Sequence, residues 1–150
     1  MVFINKNLLM IYKKHFEILT FCSIILLIEL NLWGVISLAS IDAIIDKLLK
    51  QGRKGKLDAL IKASSNDEDE IRAAAATAMG YIKTYESGMA LIPLLRDPSP
   101  LVRASAATSV AEINAKHCEE YVKKLAFADS DPTVRECARE AFDKLRTRVV

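Results

Sequence analysis

The sequence is poor in the residues that small catalytic and metal-binding domains depend on. It has two histidines, His15 and His117, far apart in sequence, and three cysteines, Cys22, Cys118 and Cys137, without metal-type spacing. Cys118 and Cys137 fall near opposite ends of a predicted antiparallel helix pair. At about 1.5 Å per residue they stand on the order of 10 Å or more apart, beyond disulfide reach. Nothing argues for an oxidising compartment. There is no P-loop, dinucleotide fingerprint, nucleophile elbow or zinc spacing. The four acids from Asp67 to Glu70 lack the glycine and spaced ligands of a calcium loop. Neither a metal nor a cofactor is expected. Five glycines and four prolines exclude a collagen-like fibre, and 51% hydrophobic residues exclude wholesale disorder. One-sided charge is missing too. The 21 basic and 19 acidic residues are interspersed and leave a net charge of only +2, with no basic stripe to track a phosphate backbone, so nucleic acid is not an expected partner.

What is present falls into two parts, 1–40 and 41–150. Ile18 to Leu38 runs 21 residues with a single charge, Glu29, behind Lys13, Lys14 and His15. That length matches a membrane-spanning helix. Its thirteen Leu, Ile, Val and Phe residues outweigh one acid, at roughly 0.3–0.6 kcal/mol gained for each against roughly 3 kcal/mol lost. Three readings compete: a membrane anchor, a signal peptide ending near Ser37 and Ala39, and a helix buried on the rest of the chain or dispensable to it. A signal peptide should have an apolar core of only about 7–15 residues. Lysines and arginines flank the segment on both sides, so the positive-inside rule sets no orientation.

From Ile41 onward the pattern is amphipathic. Ile41, Ile44, Ile45, Leu48 and Leu49 lie on one helical face, and Gly52 and Gly55 read as the helix stop. A motif then recurs. IRAAAATAMGYI starts at Ile71, VRASAATSVAEI at Val102 and VRECAREAFDKL at Val134, which separates Arg72, Arg103 and Arg135 by 31 and 32 residues. Self-similarity at such a period means stacked helical hairpins. Each unit has a first helix, beginning at Leu57, Gly88 and Cys118, then an acidic or proline-bearing turn, then a longer second helix. Pro98, Pro100 and Pro132 punctuate the turns, whereas Pro93 is expected near the start of its helix or at a kink.

In the second helices Ile71, Val102 and Val134, Ala75, Ala106 and Ala138, Met79, Val110 and Phe142, and Ile82, Ile113 and Leu145 occupy equivalent positions and should form the core stripe. The small residues between them permit close helix stacking. In the third unit Glu136, Arg139, Glu140 and Asp143 take those places, a polar face suited to a terminal cap. Residues 41–50 should cap the other end. Arg72, Arg103 and Arg135 each follow an acidic turn and can pair with Asp67, Asp69, Asp97, Asp129 or Asp131 as a structural ladder, since a guanidinium fork suits a carboxylate. The functional alternative is a row of arginines that binds an anionic ligand.

At these residues the sequence resembles HEAT-repeat proteins, and more closely the short HEAT-like repeats of the phycobilisome (PBS) lyase type, with their pattern D-P-x-x-x-V-R-x-x-A. Asp97, Pro98, Val102, Arg103 and Ala106 match it in full. Asp131, Pro132, Val134, Arg135 and Ala138 match with a shortened turn, and Ile71, Arg72 and Ala75 match without the proline. The resemblance covers about Lys56 to Leu145. It implies an all-α, right-handed α-α superhelix of about three HEAT/ARM-like repeats with terminal caps. It does not fix an activity. The di-iron hydroxylases of the wider family use His-Glu pairs, but here His15 is followed by Phe16 and His117 by Cys118.

In arrays of this kind the second helices line a concave face. The exposed positions there are Thr77, Tyr81, Thr108, Glu112, Glu140 and Lys144, with Tyr81 the natural anchor because tyrosine joins a large contact area to a polar tip. The expected job is a non-enzymatic scaffold or adaptor that binds a protein or peptide, with its repeat domain in the cytoplasm. The alternatives are an accessory subunit of a lyase-like enzyme and a scaffold tethered to a membrane through Ile18–Leu38.

Overall fold

The computed structural model describes residues 40–147, which lie in a compact unit that starts at Ile41 apart from Ser40 itself. Among these residues every regular element is helical. Helix α1 covers residues 40–53, and α2 (Leu57–Ala63), α3 (Asp69–Met79), α4 (Tyr85–Leu94), α5 (Pro100–Glu112), α6 (Glu119–Ala128) and α7 (Pro132–Thr147) follow in order. A single 3₁₀ turn, Lys116–Cys118, leads into α6. The hairpins are α2–α3, α4–α5 and α6–α7. The second helices stack in sequence, α3 on α5 and α5 on α7, which makes the array a HEAT-like helical solenoid.

Local chemistry accounts for the boundaries. Pro100 and Pro132 open α5 and α7, where a missing N–H costs nothing. Asp69 and Glu70 in the first turn of α3 complement its dipole. Helix α1 closes in a Schellman motif in which Gly55, at φ +69°, donates to the Gly52 carbonyl while Lys56 donates to that of Gln51. Asn114, at φ +56°, closes α5 in the same way, with Ala115 donating to the Val110 carbonyl. The ammonium of Lys116 donates to the Leu145 carbonyl near the end of α7.

The alanine run provides the stacking surface. Ala75, Ala76, Ala106, Ala107 and Ala138 are completely buried, as are Met79, Val102, Val110, Val134 and Leu145. Phe142 and Ile113, in the same stripe, are only partly covered. A short side chain at each contact lets helix axes approach at the closer end of the usual range, and any added methylene would need space that a packed interior lacks.

Three details depart from the sequence reading. Gly52 does not stop α1, which continues to residue 53; it is an approach point, because a Cβ there would stand 2.4 Å from the Ala78 carbonyl oxygen of α3. Pro93 is in the last turn of α4, because that helix starts at Tyr85, three residues ahead of the expected Gly88. The early start has a cause: the Thr84 hydroxyl accepts from the Ser87 N–H at 3.2 Å, a side-chain cap. Ile44 is 40% exposed while Leu48 is buried, so the apolar stripe of α1 is narrower than the full set of isoleucines and leucines suggested.

The apolar stretch Ile18–Leu38 lies outside the described residues, and so do the competing readings of it. Among the described residues no helix is long and apolar enough to cross a membrane.

Candidate functional site

The turns between helices carry a continuous hydrogen-bonded chain of arginines and aspartates. The Asp97 carboxylate accepts from Arg72 Nε at 2.9 Å and Nη2 at 3.0 Å, a two-pronged pairing across neighbouring hairpins. The Asp97 backbone carbonyl accepts from Arg103 Nη1 at 2.9 Å, and Arg103 in turn places Nε and Nη2 at 2.8 Å from the Asp129 carboxylate oxygens. The Asp129 carbonyl then accepts from Arg135 Nη1 at 2.8 Å. Each aspartate therefore joins two arginines, one through its side chain and one through its main chain. Each also holds its own turn, since Asp97 Oδ1 accepts from the Ser99 N–H and Asp129 Oδ1 from the Asp131 N–H, both at 2.9 Å.

Position 66 completes the logic. Asn66 occupies the equivalent turn in the first hairpin, and its Oδ1 likewise accepts from the Glu68 N–H at 2.9 Å. No guanidinium of the described residues reaches this side chain, and a neutral amide makes the turn without stranding a charge.

Burial raises the Asp97 carboxylate, but the Arg72 fork and the Ser99 N–H together outweigh it and hold the group below its ordinary range. The Arg103 fork does the same for Asp129, outweighing burial with help from the Asp131 N–H. The two arginine pairs join the turns of neighbouring hairpins. Arg72 and Arg103 spend both edges inside the ladder, which leaves no guanidinium edge on either for an anionic ligand.

A separate feature lies across the second helices. A groove of about 450 Å³ is lined by Thr77 and Gly80 of the α3 end, Tyr81 just beyond it, Ala104, Ser105, Thr108, Ser109 and Glu112 of α5, and Cys137 of α7. It exists because its floor is built of small side chains: a Cβ on Gly80 would stand 3.0 Å from Ser109 Oγ. Tyr81 is 48% exposed, with the Arg53 guanidinium 5.7 Å from its ring centre. The hydroxyls of Thr77 and Thr108 donate back to the Ala73 and Ala104 carbonyls one turn earlier, so their methyl groups are the free part.

Of the six exposed positions singled out in the sequence, the structure brings Thr77, Tyr81, Thr108 and Glu112 together around this groove. Lys144 stands beside it, its ammonium 3.6 Å from the Glu112 carboxylate. Glu140 is exposed on α7 but is not one of the lining residues. Sequence reasoning missed Gly80, Ala104, Ser105, Ser109 and Cys137. Ser105 and Cys137 are equivalent to each other, three residues ahead of Thr108 and Glu140, and that offset along the helix was the available signal.

The two described cysteines differ sharply. Cys118 is fully buried, its thiol donates to the Gly88 carbonyl at 3.4 Å, and burial pushes its pKa up to about 11. Cys137 is half-buried in the groove wall. Iodoacetamide at neutral pH should therefore alkylate Cys137 and leave Cys118 intact until the fold opens. Peptide-resolved mass spectrometry reads this directly, and equal labelling of the two would mean that α6 is not seated as described. Among the described residues no cluster of three or more His, Cys, Asp or Glu side chains could hold a metal ion.

No curated protein matches the chain. Residues 88–150, which run from within α4 through the last two hairpins, match the family described as HEAT repeats, and over that stretch the chain is similar to those repeats in sequence as it is in architecture.

Proposed function

We propose that the chain is a non-enzymatic scaffold or adaptor that holds an extended segment of another protein in the groove over α3, α5 and α7. The observation that carries this reading is the groove itself: about 450 Å³, floored by small residues and edged by Tyr81, Glu112 and the threonine methyls. Such a surface offers one large amphipathic side chain, a carboxylate and shallow apolar contacts, which is the chemistry of peptide recognition. HEAT repeats generally serve as protein-interaction scaffolds, in keeping with this use. A rigid floor favours affinity, because a stack whose alanines are fully buried has few side chains left to order when a partner arrives.

The test is site-specific photo-cross-linking of the full chain in cells. A benzophenone side chain at Thr108, in the groove, should yield a discrete adduct that disappears when Tyr81→Ala is added. The same group at Lys62, exposed on α2, should yield none. Adducts of equal intensity from both positions, or none from Thr108, would remove the groove from consideration.

A further inference from the structure

The two inner rungs of the ladder show how an arginine edge is filled, and the third rung shows that edge unfilled. Arg135 Nη1 donates to the Asp129 and Ser130 carbonyls at 2.8 and 3.0 Å, just as Arg103 Nη1 donates to those of Asp97 and Pro98 at 2.9 Å. These bonds set the plane of the guanidinium. The outward edge, Nε and Nη2, holds a carboxylate at both Arg72 and Arg103, whereas at Arg135 it has no partner among the described residues.

A second observation marks the same corner. Phe127, on α6 two residues before Asp129, is 70% exposed. Its equivalent 32 residues earlier is Leu95, two residues before Asp97, which is 2% exposed. Leu95 shares a cleft with Tyr121, Leu125 and Ala128, along α6, and with Asp129 just beyond that helix. The end of α6 thus borders the same cleft as the apolar residue, and the turn after it delivers the carboxylate to Arg103. The corner formed by Phe127 and Arg135 repeats the apolar residue and the arginine edge of that receptor, and among the described residues no helix end fills it.

The rest of this face argues against a whole helix lying along it. Gly88 and Leu91, buried on α4, are replaced at the equivalent places on α6 by Glu120 and Lys123, which pair with each other at 3.6 Å and stay in water. Only the corner keeps an apolar group and an uncompensated cation.

We infer that Phe127 and Arg135 form a docking site for the end of a partner protein's helix, one that presents an aspartate in the following turn and an apolar side chain about four residues ahead of it. Leu125 and Asp129 have that spacing where they fill the inner site. The corner shares α7 with the groove but none of the groove's lining residues, so failure of the groove would leave this site standing.

The probe is a helix-stapled peptide with the sequence of residues 119–131, acetylated and amidated, because an unstapled helix of that length is marginal in water. It is titrated into the full chain while the Arg135 Nε–H and Phe127 ring resonances are followed. A saturable shift of both is expected. The same peptide with Asp129→Asn should bind about tenfold more weakly, since it loses the charge-assisted fork. In the protein, Arg135→Lys keeps the charge and loses the fork, while Phe127→Ser removes an exposed ring. Phe127→Ser should melt like the parent, Arg135→Lys should melt somewhat lower but stay folded because it gives up the bonds to the Asp129 and Ser130 carbonyls, and both should bind the peptide several-fold more weakly. Absence of a saturable shift at Arg135, or unaltered binding by Arg135→Lys, would overturn the proposal. So would sodium acetate or inorganic phosphate shifting Arg135 at the same concentration as the peptide, which would make the corner a plain anion site.

Discussion

Ala106→Arg abolishes the stack or lowers its stability by about 4 kcal/mol or more, a size reserved for substitutions that place an unpaired charge or an overfilled volume in a core. Ala106 is completely buried in the middle of α5, which packs against α3 on one side and α7 on the other, and its equivalents Ala75 and Ala138 are buried to the same degree. An arginine there must push both neighbouring helices away or strip its guanidinium of water without a partner. Two residues further along the same helix, Thr108 is exposed at the groove. Thr108→Arg therefore serves as the control, since it adds the same side chain to the same helix and should cost no more than about 0.5 kcal/mol. Thermal melts followed by circular dichroism read the difference. If both variants melt like the parent, α5 is rotated from the register described; if both collapse, the damage comes from arginine anywhere on α5 rather than from the stacking face.

That register was readable from the sequence for a physical reason. A repeat forces one side chain to solve the same packing problem three times, so a residue that recurs at 31 or 32 positions declares a shared environment, as the alanines and arginines do. What was not readable depends on contacts between repeats. Whether Arg103 takes Asp97, Asp129 or Asp131 is a choice among acids at similar reach, and only the offset of neighbouring hairpins assigns the side chain to Asp129 and the backbone contact to Asp97. Gly52 followed helix-stop chemistry in the sequence, yet its reason is the Ala78 carbonyl on another helix. Thr84 was the missed local signal: a hydroxyl three residues ahead of Ser87 is a recognisable cap, and using it would have placed Pro93 at the end of α4 instead of its beginning. The groove was half legible, because exposed positions follow from helical phase, whereas the depth between helices depends on Gly80 meeting Ser109.

Asp129→Ala should cost about 3 kcal/mol, at the lower end of what breaking a buried ion pair costs, because Arg103 is left with an uncompensated charge. The side chains of this pair are only 12% and 5% exposed, so water cannot take over the role of the lost carboxylate. The substitution also removes the acceptor that holds the Asp131 N–H. It should stop short of unfolding the chain, since Arg103 Nη1 keeps the Asp97 and Pro98 carbonyls. Asp129→Asn preserves the turn and one acceptor for the fork while removing the charge, and should fall between the parent and Asp129→Ala. The same pairing fixes the response to acid. The folded state holds the carboxylates of Asp97 and Asp129 below their ordinary range, so below about pH 4, where free aspartates titrate, the unfolded chain binds protons more readily than the folded one. Stability from the ladder is then fully present above that range and drains away as the pH falls through the depressed folded values. Urea midpoints measured from pH 7 to pH 3 should stay flat at first and fall steeply below pH 4. The fall should be shallower in Asp129→Asn, which has already lost one of the two linked protonations. A parent whose midpoint declines evenly from pH 7, or a variant whose acid limb is as steep as the parent's, would mean that the ladder is not what acid dismantles.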